Sequence, residues 1–486
     1  MENERFFQGK QDLRSFSSDL IVYGLGQIIV LVLGIVQLLI LPKYLSMDDY
    51  GYFRVFILYG SYVGILHLGF IDGALVRWAG KQLPDITHEV RISIRFLLLE
   101  QVLIILPLMG LSFFIFNGIN KTIALLILIY ALIANVSTLF MFIFQAVKKF
   151  KLLTIFNIGR QAIFLVLLIP IIILGFATYF YVIVAMLCTF LATLILFIMS
   201  MKIKPMKESS HFSSAWLFGK SNINIGIYIL SGNFIYIIFT TIDRLLVNYH
   251  FSIVDFAIYN FSVSVSTSVY TLVSAVSQVF FPYLAALEDD AKTYIYQMTK
   301  PAVTLFWAAT LIIYFPFTKF IEFYLPNYLE SLPILKILLC TVGFCAPIQI
   351  LHINYYKAYK KQKLYFINGA IALVFAFILY LVIIQLYGTL ISIAFVTLIS
   401  FLFWYLVNII SLRSIFKETT KQMMIDIAVI GCFVIGFFIS FFIFEYFLYQ
   451  MIVYVILFII ITRVFLKNQM AELLQMRKYL NITKRL

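Results

Sequence analysis

Charged residues are scarce in this chain: 12% of its 486 residues are Asp, Glu, Lys or Arg, whereas 63% are hydrophobic. Soluble globular domains carry about 25% charged and about 45–50% apolar residues. The mean hydropathy of +1.01 describes the whole chain and leaves no room for a large soluble domain. The scarcity of charge therefore predicts an all-α integral membrane protein, in which long apolar helices cross the bilayer.

The sequence also lacks the motifs that mark enzymes and metal sites. Its four cysteines lie inside apolar segments, and no CxxC or Cys/His ligand spacing is present. No P-loop, GxSxG or HExxH motif occurs either. The predicted external loops are too short to hold a catalytic domain. We therefore expect no catalytic residues, no metal site and no cofactor.

Apolar runs predict fourteen transmembrane helices, because a helix needs ~20 apolar residues to cross the bilayer. Two uncharged stretches, 161–201 and 364–412, are about twice that length, so breaks at Gly175 and Gly388 divide each into a hairpin. The predicted spans are 20–42, 52–72, 94–117, 122–146, 156–175, 179–201, 225–248, 256–282, 301–324, 332–356, 364–386, 389–411, 425–446 and 448–466.

The distribution of Lys and Arg predicts the orientation of these spans. Thirty of the 36 basic residues lie in segments that share one side of the membrane, and only Lys43, Lys121 and Lys319 lie in loops on the other. By the positive-inside rule, both termini are cytoplasmic. The polar segment 1–19 precedes an apolar run without a cleavage site, so this run is predicted to be retained.

The formal net charge of +14 does not predict nucleic-acid binding, because the basic residues are spread over eight short loops and tails. Recognition of anionic lipid headgroups by these loops is an alternative use that stays open.

An internal repeat is visible in the sequence. Residues 145–152 (QAVKKFKL) and 357–364 (KAYKKQKL) match at five of eight positions with an offset of 212. The two hairpin glycines repeat at an offset of 213, and Ser46 and Ser252 give a weaker match at 206. Because each copy holds six spans, both enter the membrane in the same direction. We expect two parallel six-helix bundles related by a pseudo-two-fold axis along the membrane normal.

The predicted division of the chain follows from the repeat and from the charged loops. It comprises a cytoplasmic segment 1–19, an N-terminal six-helix bundle 20–201, a cytoplasmic linker 202–224, a C-terminal six-helix bundle 225–411, a cytoplasmic loop 412–424, two additional transmembrane helices 425–466 and a basic cytoplasmic tail 467–486.

Charged residues within spans are the candidate functional residues, since each costs about 2.5–3.5 kcal/mol at mid-span. Asp243 and Arg244 are the strongest candidates. Neighbours on a helix point ~100° apart, so we expect Arg244 to face a polar cavity and Asp243 to hold a partner or face an adjacent span. A structural salt bridge between helices is the alternative. Glu100 is expected to pair with Arg77 or Arg54, or to bind a coupling cation.

Arg54 and Lys336 lie near the outer ends of their spans, where snorkelling to the interface is the alternative to a cavity role. Asp72 lies near the inner end of the second span, where an ordinary pair with Arg77 is the alternative. Arginine binds phosphate oxygens with two parallel hydrogen bonds and stays charged when desolvated. Arginines that face each other across a cleft would therefore suit an anionic, phosphate-bearing substrate.

Four stretches carry a family resemblance. LPKYLSMDDYGYF (41–53) and LGFIDGALVRWAG (68–80) resemble the N-terminal signature of polysaccharide-export flippases of the O-antigen flippase type, within the multidrug/oligosaccharidyl-lipid/polysaccharide superfamily. TTIDRLLVNY (240–249) and SQVFFPYLA (277–285) are similar to the second-half counterparts. The resemblance runs from about residue 15 to residue 465.

The resemblance implies a two-bundle fold with a central cavity that works by alternating access. The implied substrate is an undecaprenyl-diphosphate-linked oligosaccharide, flipped from the cytoplasmic to the outer leaflet of the bacterial inner membrane for surface polysaccharide biosynthesis. The implied partners are this lipid-linked oligosaccharide, membrane lipids and other polysaccharide assembly proteins. Diphosphate binding would fall to Arg54, Arg244 and Lys336, and coupling to a proton or sodium gradient, or charge pairing, to Asp72, Glu100 and Asp243.

Three other functions remain open at this point. A multidrug exporter of the related extrusion family would share the fold, but such exporters usually have twelve spans and acidic cavities. A membrane polysaccharide polymerase or ligase would need larger external loops. A scaffold for a polysaccharide assembly complex is the third alternative.

The topology can be tested by cysteine labelling on a Cys-free background. We expect labelling from outside at Lys121, next to Asn120, and at Tyr328, but none at Lys360, which the positive-inside rule places in the cytoplasm. Labelling at Lys360 and not at Lys121 would reverse the orientation.

Overall fold

The computed structural model describes residues 24–79, 81–201, 212–285, 289–416 and 419–466. Helices and short turns account for all of these segments, and no strand occurs among them. This confirms the all-α prediction. The predicted segment 1–19, the tail 467–486 and the first ten residues of the linker lie outside the described residues.

The described residues form seventeen α-helices. In chain order, α1 to α17 are Gly24–Tyr44, Met47–Gly60, Phe70–Trp78, Leu83–Ile115, Gly118–Ala146, Phe150–Ile173, Tyr179–Met201, Phe212–His250, Ile253–Ala285, Asp289–Thr310, Tyr314–Tyr324, Ser331–Pro347, Ile353–Ala358, Gln362–Leu386, Leu390–Phe416, Thr420–Ile443 and Phe447–Phe465. Short 3₁₀ segments at Val63–His67, Leu311–Ile313 and Pro326–Tyr328 and a π-helical turn at Ile348–His352 lie between them.

Twelve described helical segments are long and apolar enough to cross a membrane. The count becomes thirteen if α2, with its 3₁₀ segment, and α3 form one span that is bent by 64°. The expected span at 256–282 lies within α9, which is not one of these helices. Eight Ser and Thr between residues 262 and 277 make α9 less apolar. The multi-pass architecture is confirmed, whereas the count of fourteen is not.

The second predicted span, 52–72, is broken rather than continuous. Leu68 and Gly69 both adopt positive φ, at 48° and 84°, between the 3₁₀ segment and α3. Such a break leaves backbone carbonyls without helical partners, which is costly in a membrane. Two buried amide side chains supply those partners: Gln101 Nε2 donates to the Leu66 carbonyl at 3.0 Å, and Asn135 Nδ2 donates to the Val63 carbonyl at 3.1 Å.

Both halves of the chain contain the same turns at the repeat offsets. Lys148 and Lys360 follow α5 and α13 with φ of 57° and 55°. In each turn the next lysine donates its backbone N–H to a carbonyl five residues earlier, from Lys149 at 2.8 Å and from Lys361 at 2.7 Å. This pattern is a Schellman motif, in which glycine is the usual left-handed residue.

The N-terminal caps of the helices also match between the two halves. The Ser46 hydroxyl caps α2 by accepting from the Asp49 N–H, and the Ser252 hydroxyl accepts from the Asp255 N–H in the same way, both at 3.1 Å. The hairpin breaks at Gly175 and Gly388 occur where they were predicted, and both glycines have positive φ. Superposition of the six-helix copies stays a prediction. Tyr328, where labelling from outside was expected, is only 1% exposed, and this burial argues against labelling there.

The helices group into two compact units, Met1–Asn260 and Phe261–Leu486. In the first unit the core is aromatic: rings of Phe140, Phe144, Phe156 and Phe197, from α5, α6 and α7, pack at centroid distances of 4.0–6.3 Å. These contacts hold the three helices together. The predicted domain boundaries, which follow the repeat rather than the packing, stay a prediction.

In the second unit α12 is the central helix, and all of its residues except Pro333 and Lys336 are buried. Neighbouring helices anchor to its backbone: Trp307 Nε1 donates to the Leu339 carbonyl at 2.9 Å, and the Tyr314 hydroxyl donates to the Leu332 carbonyl at 3.0 Å. The ammonium of Lys300 and the carboxylate of Asp426 form an ion pair at 2.5 Å that links α10 to α16.

Helices α3 and α8 cross within the first unit at very short range. A Cβ on Gly226 would lie 1.9 Å from the Gly69 carbonyl oxygen, and one on Gly73 would lie 2.0 Å from the Asn222 carbonyl oxygen. Gly69 and Gly73 form a GxxxG spacing, which allows close approach of membrane helices. The crossing fixes the part of α8 that precedes Arg244 against the bent second span.

We expect Gly226→Ala to destabilise the protein by about 1–3 kcal/mol, because the added methyl meets backbone that cannot move aside cheaply. Gly232→Ala, on the same helix, is the matched control, since nothing lies within 4 Å of its Cβ. The control should leave stability unchanged or raise it by up to about 1 kcal/mol. Thermal unfolding in detergent measures both, and equal melting temperatures for the two variants would contradict the close crossing.

Candidate functional site

Asp243 and Arg244 form a tightly held pair in α8. The Asp243 side chain, in a residue only 5% exposed, accepts hydrogen bonds from the Tyr259 hydroxyl of α9 at 2.9 Å and from the Arg244 backbone N–H at 2.7 Å. Arg244 Nε lies 3.8 Å from the same carboxylate, and Arg244 Nη2 donates to the Thr240 carbonyl at 2.7 Å. The prediction that Asp243 holds a partner agrees with this geometry.

The expectation that Arg244 and Asp243 face different surroundings was too strict. It considered only the 100° between Cβ directions. The arginine side chain is long enough to fold back along α8, so its guanidinium reaches both its neighbour and the preceding turn. The structural alternative, an ion pair, is therefore present, but within one helix rather than between two.

A polar seam joins α8 to α2 and the residues directly after it. The Tyr62 hydroxyl contacts the Thr241 hydroxyl, and Asn248 Nδ2 donates to the Tyr59 hydroxyl at 3.1 Å. Thr241, Arg244 and Asn248 are spaced three and four residues apart, so they share one face of α8. Arg244 is half-buried within this α2–α8 seam.

Arg54 is held by its own helix, α2. Its Nε donates to the Tyr50 hydroxyl at 2.9 Å, and its guanidinium lies over the rings of Tyr50 and Phe53 at 5.0 and 5.9 Å. Like Arg244, it is half-buried in the first unit. The two arginines therefore lie on helices that pack together, and each is oriented by contacts one turn earlier in its own helix.

The seam borders a cavity of about 550 Å³ in the first unit. Tyr59 and Asn248, which bond each other, both line it. Its walls are mainly apolar side chains of α4 and α5, including Leu108, Ile123 and Ile127. An apolar cavity with a few convergent polar groups is the usual form of a ligand site.

Asp72 lies at the start of α3 and is buried. Its carboxylate is 3.9 Å from His67 Nε2, and His67 Nδ1 accepts from the Gly69 N–H at 3.2 Å. The expected alternative, a pair with Arg77, is absent: Arg77 Nη2 donates to the Ser221 hydroxyl of α8 at 2.6 Å and stacks on Phe218. Sequence reasoning missed His67 as the neighbour of Asp72.

Glu100 is only 8% exposed in α4, and neither of its carboxylate oxygens has a hydrogen-bond partner among the described residues. It pairs with neither Arg77 nor Arg54, contrary to one expectation. The amide of the adjacent Gln101 is engaged with the Leu66 carbonyl and with Asn135. A buried ionised carboxylate without a partner is unfavourable, which leaves cation or proton binding as the remaining expectation for Glu100.

Lys336 lies in α12 of the second unit and is half-buried. Its ammonium is 3.9 Å from the centroid of the Phe441 ring in α16, a cation–π contact. Its proposed share in diphosphate binding has no contact in the structure that bears on it.

Among the described residues, no group of three or more His, Cys, Asp and Glu side chains could hold a metal ion. The polar partners of the seam, Tyr59, Tyr62, Thr241 and Asn248, were not predicted. Their signal in the sequence was weak, because hydroxyl and aromatic residues occur in most spans and only the charged ones stand out.

The fold is that of known transporters. A MOP-superfamily transporter from Pyrococcus furiosus matches with a TM-score of 0.51 and 13% identity, over 82% of this chain and 96% of that one. A mutant of the MATE transporter VcmN from Vibrio cholerae matches with a TM-score of 0.50 and 15% identity, over 83% of this chain and 99% of that one. At such identities the likeness shows the fold alone.

In sequence, no curated protein matches the chain. Residues 16–288 do match a protein family, described as polysaccharide biosynthesis protein. The matched part includes the bent second span, the α3–α8 crossing and the Asp243–Arg244 pair. This match covers more than half of the chain. The chain is therefore a member of the polysaccharide biosynthesis protein family, built on the fold of MOP-superfamily transporters.

Proposed function

We propose that the protein is a flippase that moves an undecaprenyl-diphosphate-linked oligosaccharide from the cytoplasmic to the outer leaflet of the bacterial inner membrane by alternating access. The observation that carries the proposal is the half-buried Arg244, anchored by a buried carboxylate on a membrane helix of a polysaccharide biosynthesis protein. A charge at such a position has a high insertion cost and calls for a use.

The anchoring of Arg244 suits phosphate recognition. Asp243 lies 3.8 Å from Nε and the Thr240 carbonyl accepts from Nη2, so the guanidinium is oriented before a ligand arrives. Arginine stays charged when desolvated and binds phosphate oxygens bidentately. In this proposal Arg244 and Arg54 bind the diphosphate.

Multidrug export is the second candidate, because the VcmN match is to a MATE transporter. The apolar cavity beside the α2–α8 seam would accept such a ligand. The arginines argue for an anionic substrate instead, since the exporters of the related family usually have acidic cavities. The family match, to polysaccharide biosynthesis, supports the same choice.

We expect Arg244→Ala to reduce surface glycan by about 10-fold or more, because a charge-assisted hydrogen bond to phosphate contributes about 1.5–3 kcal/mol. Arg244→Lys keeps the charge and loses the fork, so it should retain partial function. Surface glycan is measured in cells that carry each variant as their only copy, with protein level measured in parallel.

Arg160→Ala is the matched control for Arg244. Arg160 is also a half-buried arginine of the first unit, but its guanidinium packs on Phe190 at 4.5 Å and on the Met141 sulfur. The control should display glycan normally. Full display by a double variant, Arg54→Ala with Arg244→Ala, at normal protein level would refute phosphate binding. Loss of the protein itself would assign the Asp243–Arg244 pair a structural role.

In the proposed mechanism, Glu100 couples flipping to a proton or sodium gradient. Glu100→Gln keeps the shape and removes the charge, so the fold should be as stable as before or more stable, because an unpartnered buried carboxylate is removed. Flipping of a lipid-linked substrate in proteoliposomes should lose its dependence on an imposed proton or sodium gradient.

Glu89→Gln is the control on the same helix. The Glu89 carboxylate accepts from Trp78 Nε1 at 2.7 Å, and the amide oxygen can accept the same bond. This variant should keep gradient dependence. Gradient-driven flipping at wild-type rate by Glu100→Gln would exclude Glu100 from coupling.

A further inference from the structure

A basic pocket of about 530 Å³ lies in the first unit, at the ends of its helices and away from the α2–α8 seam. It joins two loops that are 67 residues apart in sequence, with Lys81 between α3 and α4 and Lys148 and Lys149 between α5 and α6. Seven residues line it, and none of them is acidic. Three cations are thus brought to one concave surface by the fold.

The charges of these lysines are uncompensated in the part of the chain that the structure describes. All three side chains are exposed, and no ion pair involves Lys81, Lys148 or Lys149 among the described residues. Ammonium groups that share a pocket repel each other. An anion that binds between them relieves this repulsion.

The turn at Lys148 does not itself require a lysine. Lys148 occupies the left-handed position of the Schellman turn with φ of 57°. Glycine adopts this conformation without strain, and a residue with a Cβ does not. The turn alone would be more stable with glycine there.

The position of the pocket suits a lipid headgroup. α5 is apolar up to Ala146, and the half-buried side chains of Leu83 and Val147 line the pocket together with the three lysines. Apolar walls beside a cationic rim fit a molecule whose phosphate is joined to hydrocarbon. The positive-inside rule places this end of α5 at the cytoplasmic surface, where anionic lipids attract basic groups.

The second half of the chain has the same turn without the same charge pattern. Lys360 and Lys361 repeat the backbone geometry of Lys148 and Lys149. At the offset of 206, however, residues 82–84 of the first half correspond in sequence to Glu288, Asp289 and Asp290. In the second half, Lys292 lies beside this turn, 5.1 Å from the Tyr359 ring, but it is paired with Asp289 at 3.0 Å, so its charge is compensated.

We propose that the pocket of Lys81, Lys148 and Lys149 binds the phosphate group of an anionic lipid in the cytoplasmic leaflet. This site is separate from Arg244 and does not depend on the proposed flippase function. The lipid can be a bulk phospholipid or a polyprenyl diphosphate, since both present phosphate oxygens joined to hydrocarbon.

The test uses the full-length protein in detergent and calorimetric titration with four probes: dioctanoyl phosphatidylglycerol, farnesyl diphosphate, inorganic diphosphate and dioctanoyl phosphatidylcholine. We expect the two anionic lipids to bind more tightly than the other probes. The relative affinity of phosphatidylglycerol and farnesyl diphosphate then identifies the source of the phosphate. Equal binding of phosphatidylcholine, or binding of inorganic diphosphate alone, would overturn the assignment to an anionic lipid.

Variants connect the binding to the pocket. At about fivefold per lysine, the triple change Lys81→Gln, Lys148→Gln and Lys149→Gln should weaken anionic lipid binding by about 100-fold. Lys360→Gln with Lys361→Gln is the matched control and should bind as the wild type does. Equal affinity of the triple variant and the wild type, or an equal loss in the control, would refute the site.

Lys148→Gly separates binding from folding. It suits the left-handed backbone, so its melting temperature should equal or exceed that of the wild type, while anionic lipid binding falls by about fivefold. A lower melting temperature with unchanged binding would show that Lys148 serves the turn instead, and would remove it from the site.

Discussion

Hydrocarbon offers no hydrogen bonds to a backbone, and the described chain satisfies this constraint by helices alone. Where a helix breaks, another group must replace the lost partners. The bend before α3 shows how: Gln101 and Asn135, from two other helices, donate to the Leu66 and Val63 carbonyls. The break in turn places Gly69 and Gly73 where α8 can approach closely. The position of the helix that carries Arg244 thus depends on two amide side chains elsewhere in the first unit.

Hydrocarbon is even less favourable for a charged group than for a backbone amide. The three buried carboxylates, Asp243, Asp72 and Glu100, differ in the partners that they have. Asp243 accepts two hydrogen bonds and has a guanidinium nearby. Asp72 has a histidine at 3.9 Å. Neither carboxylate oxygen of Glu100 has a hydrogen-bond partner among the described residues. A satisfied carboxylate orients another group, whereas an unsatisfied one gains most from binding a proton or a cation. This difference in hydrogen bonding is the basis for proposing that Asp243 anchors Arg244 and that Glu100 serves in coupling.

Much of the fold could be predicted because the length of an apolar run and the position of a turn glycine are local features of the sequence. The hairpins at Gly175 and Gly388, for example, divide uncharged runs that are too long for a single membrane crossing. The bend at Leu68 could not be predicted from the sequence, because the side chains that stabilise it, Gln101 and Asn135, are distant in the chain. The candidate site was only partly predictable for a similar reason. Arg244 stands out as a charge in a span, but its orientation depends on side-chain length, and the cluster around Lys81 depends on the meeting of two loops.

The repeat conserves backbone geometry more closely than side-chain chemistry. Capping serines, Schellman turns and hairpin glycines recur at matching offsets. At those offsets Arg54 corresponds to Asn260, and Arg244 corresponds to Leu38, so the two arginines are not symmetry equivalents. Turns need only a left-handed residue or a cap, which either half can supply. The orientation of a charged side chain depends on its neighbours, as that of Arg244 depends on Asp243. The two halves therefore match in their turns and caps, whereas Arg54 and Arg244 have no charged counterpart at the matching positions.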